Sequence, residues 1–154
     1  MPKTAIFAGS FDPFTIGHDD IVRRTLCFAD RVVIGVGINK DKHYTHSTEE
    51  RINSIAELYS DEPRVVVKGY DDLTIDLARR EGAQFIVKGV RSVKDFESER
   101  EQADINRLVG GVETVLLCAR PELACVSSSM VRELSRFGAD ISKYLPKKQR
   151  NDYL

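Results

Sequence analysis

The chain has 154 residues, of which 42% are hydrophobic, 31% charged and 8% aromatic, with 10 Gly and 5 Pro. That length fits one domain of roughly 100–200 residues, able to bury about 68–70% of its unfolded surface without disulfides or metals, and the composition excludes collagen-like, mucin-like and disordered classes. Lys and Arg number 23 against 24 Asp and Glu, a net charge of -1. No global basic field exists to hold DNA or RNA, so no nucleic-acid partner is expected.

The opening residues Met1 to Gly9 carry one positive charge and an apolar run too short for a signal peptide. No apolar stretch approaches the roughly 18 residues of a membrane span, so no membrane partner is expected either. Cys27, Cys118 and Cys125 are odd in number and form no C-x-x-C pair. Each lies in or beside an apolar run, which predicts core filling in a reducing cytoplasm.

In chain order, Ile6-Phe7-Ala8 reads as the first strand, followed by a helix with Ile21, Thr25, Leu26 and Ala29 inward and Asp19, Arg23 and Arg24 outward. Arg31 to Ile38 is the second strand. Ser47 and Glu50 have the spacing of a capping box and open a helix through Ile52, Ile55 and Leu58. Arg64 to Val67 is the third strand, and a helix from about Leu73 to Arg80 ends near Gly82. Gln84 to Val87 is the fourth strand, before a helix from about Val93 to Leu108 that stops at Gly110-Gly111. Val112 to Leu117 is the fifth, and Ser127-Ser128-Ser129 opens a helix carrying Val131, Leu134 and Phe137. A short terminal helix is expected after Pro146. Most strands are nearly continuous apolar runs, as for strands covered on both faces. The alternation predicts a single α/β domain over residues 1–154, a doubly wound, Rossmann-like five-stranded parallel sheet with helices on both faces.

Ligands of such a sheet bind beyond the carboxyl ends of its strands, so the strand-to-helix connections carry the chemistry. The first is Gly9-Ser10-Phe11-Asp12-Pro13-Phe14-Thr15-Ile16-Gly17-His18. Its glycines, proline and Asp suit a sharp turn, with Gly17 admitting a close neighbour. His18 falls in the first helical turn, where free N–H groups and the helix dipole favour an anion. The segment has neither the G-K-[ST] of a Walker loop nor a G-x-G-x-x-G fingerprint.

Gly9 to Pro13 followed by Thr15-Ile16-Gly17-His18 resembles the T/H-x-G-H signature of the nucleotidyltransferase superfamily. More narrowly, the chain resembles bacterial phosphopantetheine adenylyltransferases of coenzyme A biosynthesis. The likeness covers nearly the whole chain and includes Lys42, Thr48-Glu49-Glu50-Arg51, Asp72-Leu73, Gly89-Val90-Arg91, Asp95-Phe96-Glu97-Ser98-Glu99, Asn106-Arg107 and the three serines at 127–129. It implies transfer of AMP from ATP to 4'-phosphopantetheine, giving dephospho-coenzyme A and pyrophosphate by direct in-line displacement. The acceptor phosphate, with a second pKa of about 6, is mostly dianionic at neutral pH and needs no general base. What such a site must supply is alignment of two anions and charge neutralisation at the α-phosphate.

The resemblance assigns catalysis to His18, Lys42 and Arg91. It assigns ATP contacts to Ser10, Phe11, His18, Gly89, Val90 and Arg91, with Glu99 near the ribose and Leu123, Ala124, Cys125, Val126, Ser127, Ser128 and Ser129 along the base and phosphates. Acceptor contacts fall to Ser10, Lys42, Thr74 and Lys88. Ser10 stands where the family usually has Thr, and Lys88 where it commonly has Arg, which keeps the charge without the planar fork. Leu123 and Ala124 replace a frequent Trp-Ser pair, leaving backbone contacts to read adenine. Read as helix capping, the three serines also present hydroxyls and N–H groups to a second anion.

His43 and His46 precede the capping box and read as exposed loop residues rather than metal ligands, and no protein metal site is expected. Magnesium is implied through the ATP phosphates. The resemblance further suggests a homohexamer and coenzyme A as a feedback ligand. The alternatives are a small nucleotidyltransferase with another acceptor or donor, such as nicotinamide mononucleotide or a cytidylyl group, and a noncatalytic nucleotide sensor. His18, Lys42 and Arg91 argue against the sensor, which needs no cation at an acceptor phosphate.

Overall fold

Residues 1–148 are described by a computed structural model. The first apolar run becomes β1 (Thr4–Gly9), followed by α1 (Ile16–Thr25), β2 (Arg31–Gly37), α2 (Thr48–Leu58), β3 (Val65–Tyr70), α3 (Thr74–Arg80), β4 (Phe85–Val90), α4 (Val93–Gly110), β5 (Glu113–Cys118) and α5 (Ser128–Arg136). All five strands are parallel, in the order β3-β2-β1-β4-β5. The chain winds outward from β1 to β3, then returns to the other side of β1. The order therefore reverses between β1 and β4, and their carboxyl ends open a crevice there.

Alternate residues of the central strands feed two cores. Phe7, Val32, Ile34 and Val36 pack with Ile21, Val22, Ile55 and Tyr59 beneath α1 and α2. Ile6, Ala8, Val33 and Ile86 pack with Ile75, Leu77 and Ala78 of α3 on the opposite face. Each fully buried Ile or Val contributes roughly 1.5–3 kcal/mol. Strands β3 and β4 extend past the apolar runs that signal them, through Lys68-Gly69-Tyr70 and Lys88-Gly89-Val90. The ladder continues there although the lysines interrupt the apolar run, and Gly69 and Gly89 let Ile52 of α2 and Ile21 of α1 approach the sheet closely. The edge strands β3 and β5 are only partly covered, unlike β1 and β2.

Caps fall where the sequence places them. Ser47 accepts from the Glu50 N–H at 3.1 Å, and Gly82 and Gly111 adopt left-handed φ of 64° and 66° at the ends of α3 and α4. Three expectations fail. Asp19 is fully buried rather than outward, because its carboxylate accepts from Tyr59 O–H at 2.5 Å and Arg23 Nε at 3.0 Å; two donors offset the desolvation that usually keeps such a group outside. The three cysteines are exposed, not core filler, since Cys118 and Cys125 lie where the chain leaves the sheet and Cys27 just past α1. Phe137 is 76% exposed because α5 ends at Arg136, before it. Leu134 is partly buried, and Val131 is the one fully buried residue of α5. The helix expected after Pro146 falls almost wholly outside the described residues. No helix among the described residues is long and apolar enough to cross a membrane.

Candidate active site

The loop after β1 is held in a shape the sequence only outlines. Phe11 has φ of 50°, a left-handed conformation that non-glycine residues rarely adopt. Its ring lies so close under Gly9 that a Cβ there would sit 3.0 Å from it. The tight approach is thus at Gly9. A Cβ on Gly17 would meet only ordinary neighbours, Thr15 Oγ1 at 3.4 Å and the Val126 carbonyl at 3.6 Å.

Thr15 caps α1 and locks His18. The Thr15 N–H donates to His18 Nδ1 at 2.9 Å, while the His18 N–H donates to Thr15 Oγ1 at 3.4 Å. Because Nδ1 accepts, the ring proton of the neutral imidazole resides on Nε2. The ring is packed by Phe11 and Phe14, with centroids at 5.0 and 5.3 Å. Burial first, and the charge of Arg91 second, push the His18 pKa down to about 4. His18 is therefore a neutral N–H donor at physiological pH.

At α5, Ser127 caps by accepting from the Met130 N–H at 3.1 Å. The Ser128 hydroxyl donates to the Pro13 carbonyl at 2.7 Å, and Arg132 donates to the Asp12 carbonyl at 2.8 Å and to Ser129 Oγ at 3.4 Å. Two of the three serine hydroxyls therefore serve the fold. What α5 offers a ligand is its first-turn backbone N–H groups, together with Ser129 and Arg132. Helices α1 and α5 thus start side by side, stapled through the first loop.

A cavity of about 330 Å³ lies at this junction. It gathers Ser10, Phe11, His18, Lys42, Lys88, Gly89, Arg91, Glu99, Leu123, Val126 and all three serines. Val90, Ala124, Cys125 and Thr74 do not line it; Thr74 instead opens α3 with its hydroxyl 3.0 Å from Tyr70 O–H. Lys42 Nζ donates to Ser10 Oγ at 3.2 Å. Arg91 pairs with Asp95, Nε to Oδ2 at 3.4 Å, and Lys88 lies 3.8 Å from Glu99. Among the lining residues four cations, Lys42, Lys88, Arg91 and Arg132, meet three carboxylates, Asp20, Asp95 and Glu99. A larger cavity of about 1080 Å³ between α2 and α5 contains none of His18, Lys42, Lys88 or Arg91.

Comparison with known proteins bears on this constellation. The Cytidylyltransferase-like family model matches residues 6–134. Phosphopantetheine adenylyltransferase of Bacteroides fragilis is 57% identical over 94% of this chain and 97% of its own. The chain belongs to the phosphopantetheine adenylyltransferase family. The Phocaeicola vulgatus member is 53% identical over 97% of this chain and 99% of its own. In structure, a bifunctional NMN adenylyltransferase/ADP ribose pyrophosphatase from Francisella tularensis aligns with a TM-score of 0.70, covering 94% of this chain and 45% of that one. At 17% identity that likeness concerns the fold.

In this member of the phosphopantetheine adenylyltransferase family, the structure adds residues that the sequence did not single out. Asp12, almost fully buried, accepts from the Thr45 and His46 N–H groups at 2.6 and 3.1 Å and from His46 Nδ1 at 2.9 Å. Burial alone would raise its pKa, but those bonds hold the carboxyl below the usual range. His46 is a half-exposed loop residue, as expected, yet it clasps the Lys42 loop to the first loop. Asp20 pairs with Arg120 at 3.0 Å and Arg24 at 3.3 Å, tying the segment after β5 to α1. Arg51, 2% exposed, donates to the Ser10 and Gly37 carbonyls at 2.7 and 3.1 Å. The signal available for Arg51 was only its place in the Thr48-Glu49-Glu50-Arg51 match.

Proposed function

We propose that this chain transfers the adenylyl group of ATP to 4'-phosphopantetheine, releasing pyrophosphate and dephospho-coenzyme A. The observation that carries the reading is one cavity holding two helix starts and four cationic side chains, a seat for more than one phosphate group. An acceptor phosphate oxygen attacks the α-phosphorus, and the bond to the β-phosphate oxygen breaks on the opposite side. The attacking dianion needs no base. His18 Nε2–H, Arg91 and the helix starts meet the charge that builds during transfer. Lys42, Ser10 and Lys88 hold the acceptor phosphate, with Thr74 toward its pantetheine arm, and Glu99 accepts from ribose hydroxyls. Phe11, Gly89, Val90 and the backbone of Leu123, Ala124, Cys125 and Val126 flank the nucleotide. Coenzyme A, which shares the product's chemistry, competes for the same seat.

No group of three or more His, Cys, Asp or Glu able to hold a metal occurs among the described residues. The cavity's carboxylates are each paired with a basic side chain. These residues fit an ion carried on ATP phosphates and water, the usual habit of Mg²⁺, which there would neutralise phosphate charge. Three free, exposed cysteines suit the reducing cytoplasm.

The assay offers ATP and magnesium with phosphopantetheine or nicotinamide mononucleotide as acceptor in separate arms, and repeats each with a cytidylyl donor, CTP, in place of ATP. Pyrophosphate and an adenylylated product are expected with phosphopantetheine. Release only with nicotinamide mononucleotide would reject the assignment.

A homohexamer is proposed on the strength of α4. None of its 18 residues is buried, and Phe96, Ile105, Leu108 and Val109 are 45–86% exposed, more apolar surface than an isolated chain usually presents in one helix. Light scattering of the wild type should give a hexamer mass, and Leu108→Glu with Val109→Glu should lower it. A wild-type monomer at micromolar concentration would contradict the proposal.

A further inference from the structure

Lys88 rises from β4 and Glu99 faces it from α4, with Nζ and Oε2 3.8 Å apart and each side chain about a quarter exposed. That separation is within Coulombic reach but too long for a hydrogen bond. Glu99 Oε2 is buried and accepts no hydrogen bond from the described residues. Its charge is therefore balanced by Lys88 while its lone pairs go unused. We propose that this pair couples the two substrates: ATP bound through Glu99 tightens the hold of Lys88 on the acceptor phosphate. The inference rests on the proposed function, which places the ribose at Glu99 and the acceptor phosphate at Lys88.

The coupling follows from what each ligand does to the other's partner. A phosphate monoester draws the Lys88 ammonium toward itself. Glu99 Oε2 is then left buried with neither a counter-charge nor a donor, which is costly. Acceptor binding alone carries that penalty. Ribose hydroxyls donating to Oε2 satisfy the carboxylate by hydrogen bonds, so Lys88 leaves at smaller cost. By linkage the effect is reciprocal, with acceptor tightening ATP by the same factor. Lysine suits the exchange because a single flexible ammonium can swing between two anions, whereas the arginine fork holds one partner bidentately.

Isothermal titration of 4'-phosphopantetheine with and without saturating α,β-methylene ATP tests this on wild type, Glu99→Gln and Glu101→Gln. Glutamine still accepts from ribose but no longer holds Lys88 by charge. The tightening produced by the analogue should be about tenfold larger in wild type than in Glu99→Gln, within the usual range of coupling between sites. Glu99→Gln should bind the acceptor alone about tenfold tighter than wild type. Glu101→Gln, an exposed charge on the same helix, should behave as wild type. Equal tightening in wild type and Glu99→Gln, or an equal change in Glu101→Gln, would overturn the coupling while leaving the site's assignment intact. Failure of wild type to bind either ligand would remove both.

Discussion

Replacing His18 by Ala is expected to lower kcat by about 10²–10³-fold while changing the KM for ATP only a few-fold. The ring is fixed by Thr15 N–H on Nδ1 and by the phenylalanines around it, so Nε2–H needs no reorganisation when charge develops on the transferring phosphoryl group. In the proposed reaction ground-state ATP would keep the free N–H groups of α1 and α5, which the substitution leaves in place. A kcat within about threefold of wild type would remove His18 from the chemistry. The pH dependence has a definite sign. The folded imidazole titrates at about 4, below an unfolded value near 6.5, so the unfolded chain binds more protons between those limits. The contribution of His18 to stability is complete above about pH 6.5 and is lost as pH falls toward 4. Urea unfolding of His18→Ala should accordingly lose less stability than wild type over that interval.

Arg51→Ala is the second large effect, and it acts away from the reacting atoms. The guanidinium is buried, bonds the Ser10 and Gly37 carbonyls and Thr48 Oγ1, and lies 3.8 Å over the Tyr44 ring. It joins the ends of β1 and β2 to the start of α2, beneath the contact between Lys42 and Ser10. Its loss strips a donor from buried carbonyls and leaves a cavity, a combination worth about 2–4 kcal/mol, or about 4–16 °C in Tm at this size. In the surviving folded enzyme the acceptor KM should rise more than the ATP KM, because Ser10 and Lys42 lose their register. Arg51→Lys should recover part of the stability but not the acceptor KM: one ammonium can take the place of Nη1 on the Ser10 and Gly37 carbonyls but leaves Thr48 Oγ1, held by Nη2, without its donor and lacks the planar fork that fixes the register. Equal changes in both KM values would reduce Arg51 to a purely structural role.

The fold was legible because the covered parts of its strands are apolar runs, and helix starts at Ser47 and Ser127 announce themselves by capping chemistry. The strand ends were less so, since Lys68 and Lys88 continue ladders that hydropathy does not register. For the site, His18, Lys42, Lys88 and Arg91 were named by the family resemblance, and the structure brings all four to one cavity. The contacts that fix them were hidden. Asp12 reaches His46 across 34 residues and Arg132 reaches Asp12 across 120, and one sequence carries no record of such pairings. Asp19 was misplaced for a related reason: its charge implied exposure, while one of the two donors that make burial tolerable is the Tyr59 hydroxyl, 40 residues away.

The proposed reaction requires the starts of α1 and α5 together to hold the nucleotide phosphates beside His18. A crystal structure with α,β-methylene ATP tests it most directly. A phosphate oxygen is expected within hydrogen-bond distance of His18 Nε2, and others on the first-turn N–H groups of α5. A triphosphate seated instead in the larger cavity between α2 and α5, away from His18, would contradict it.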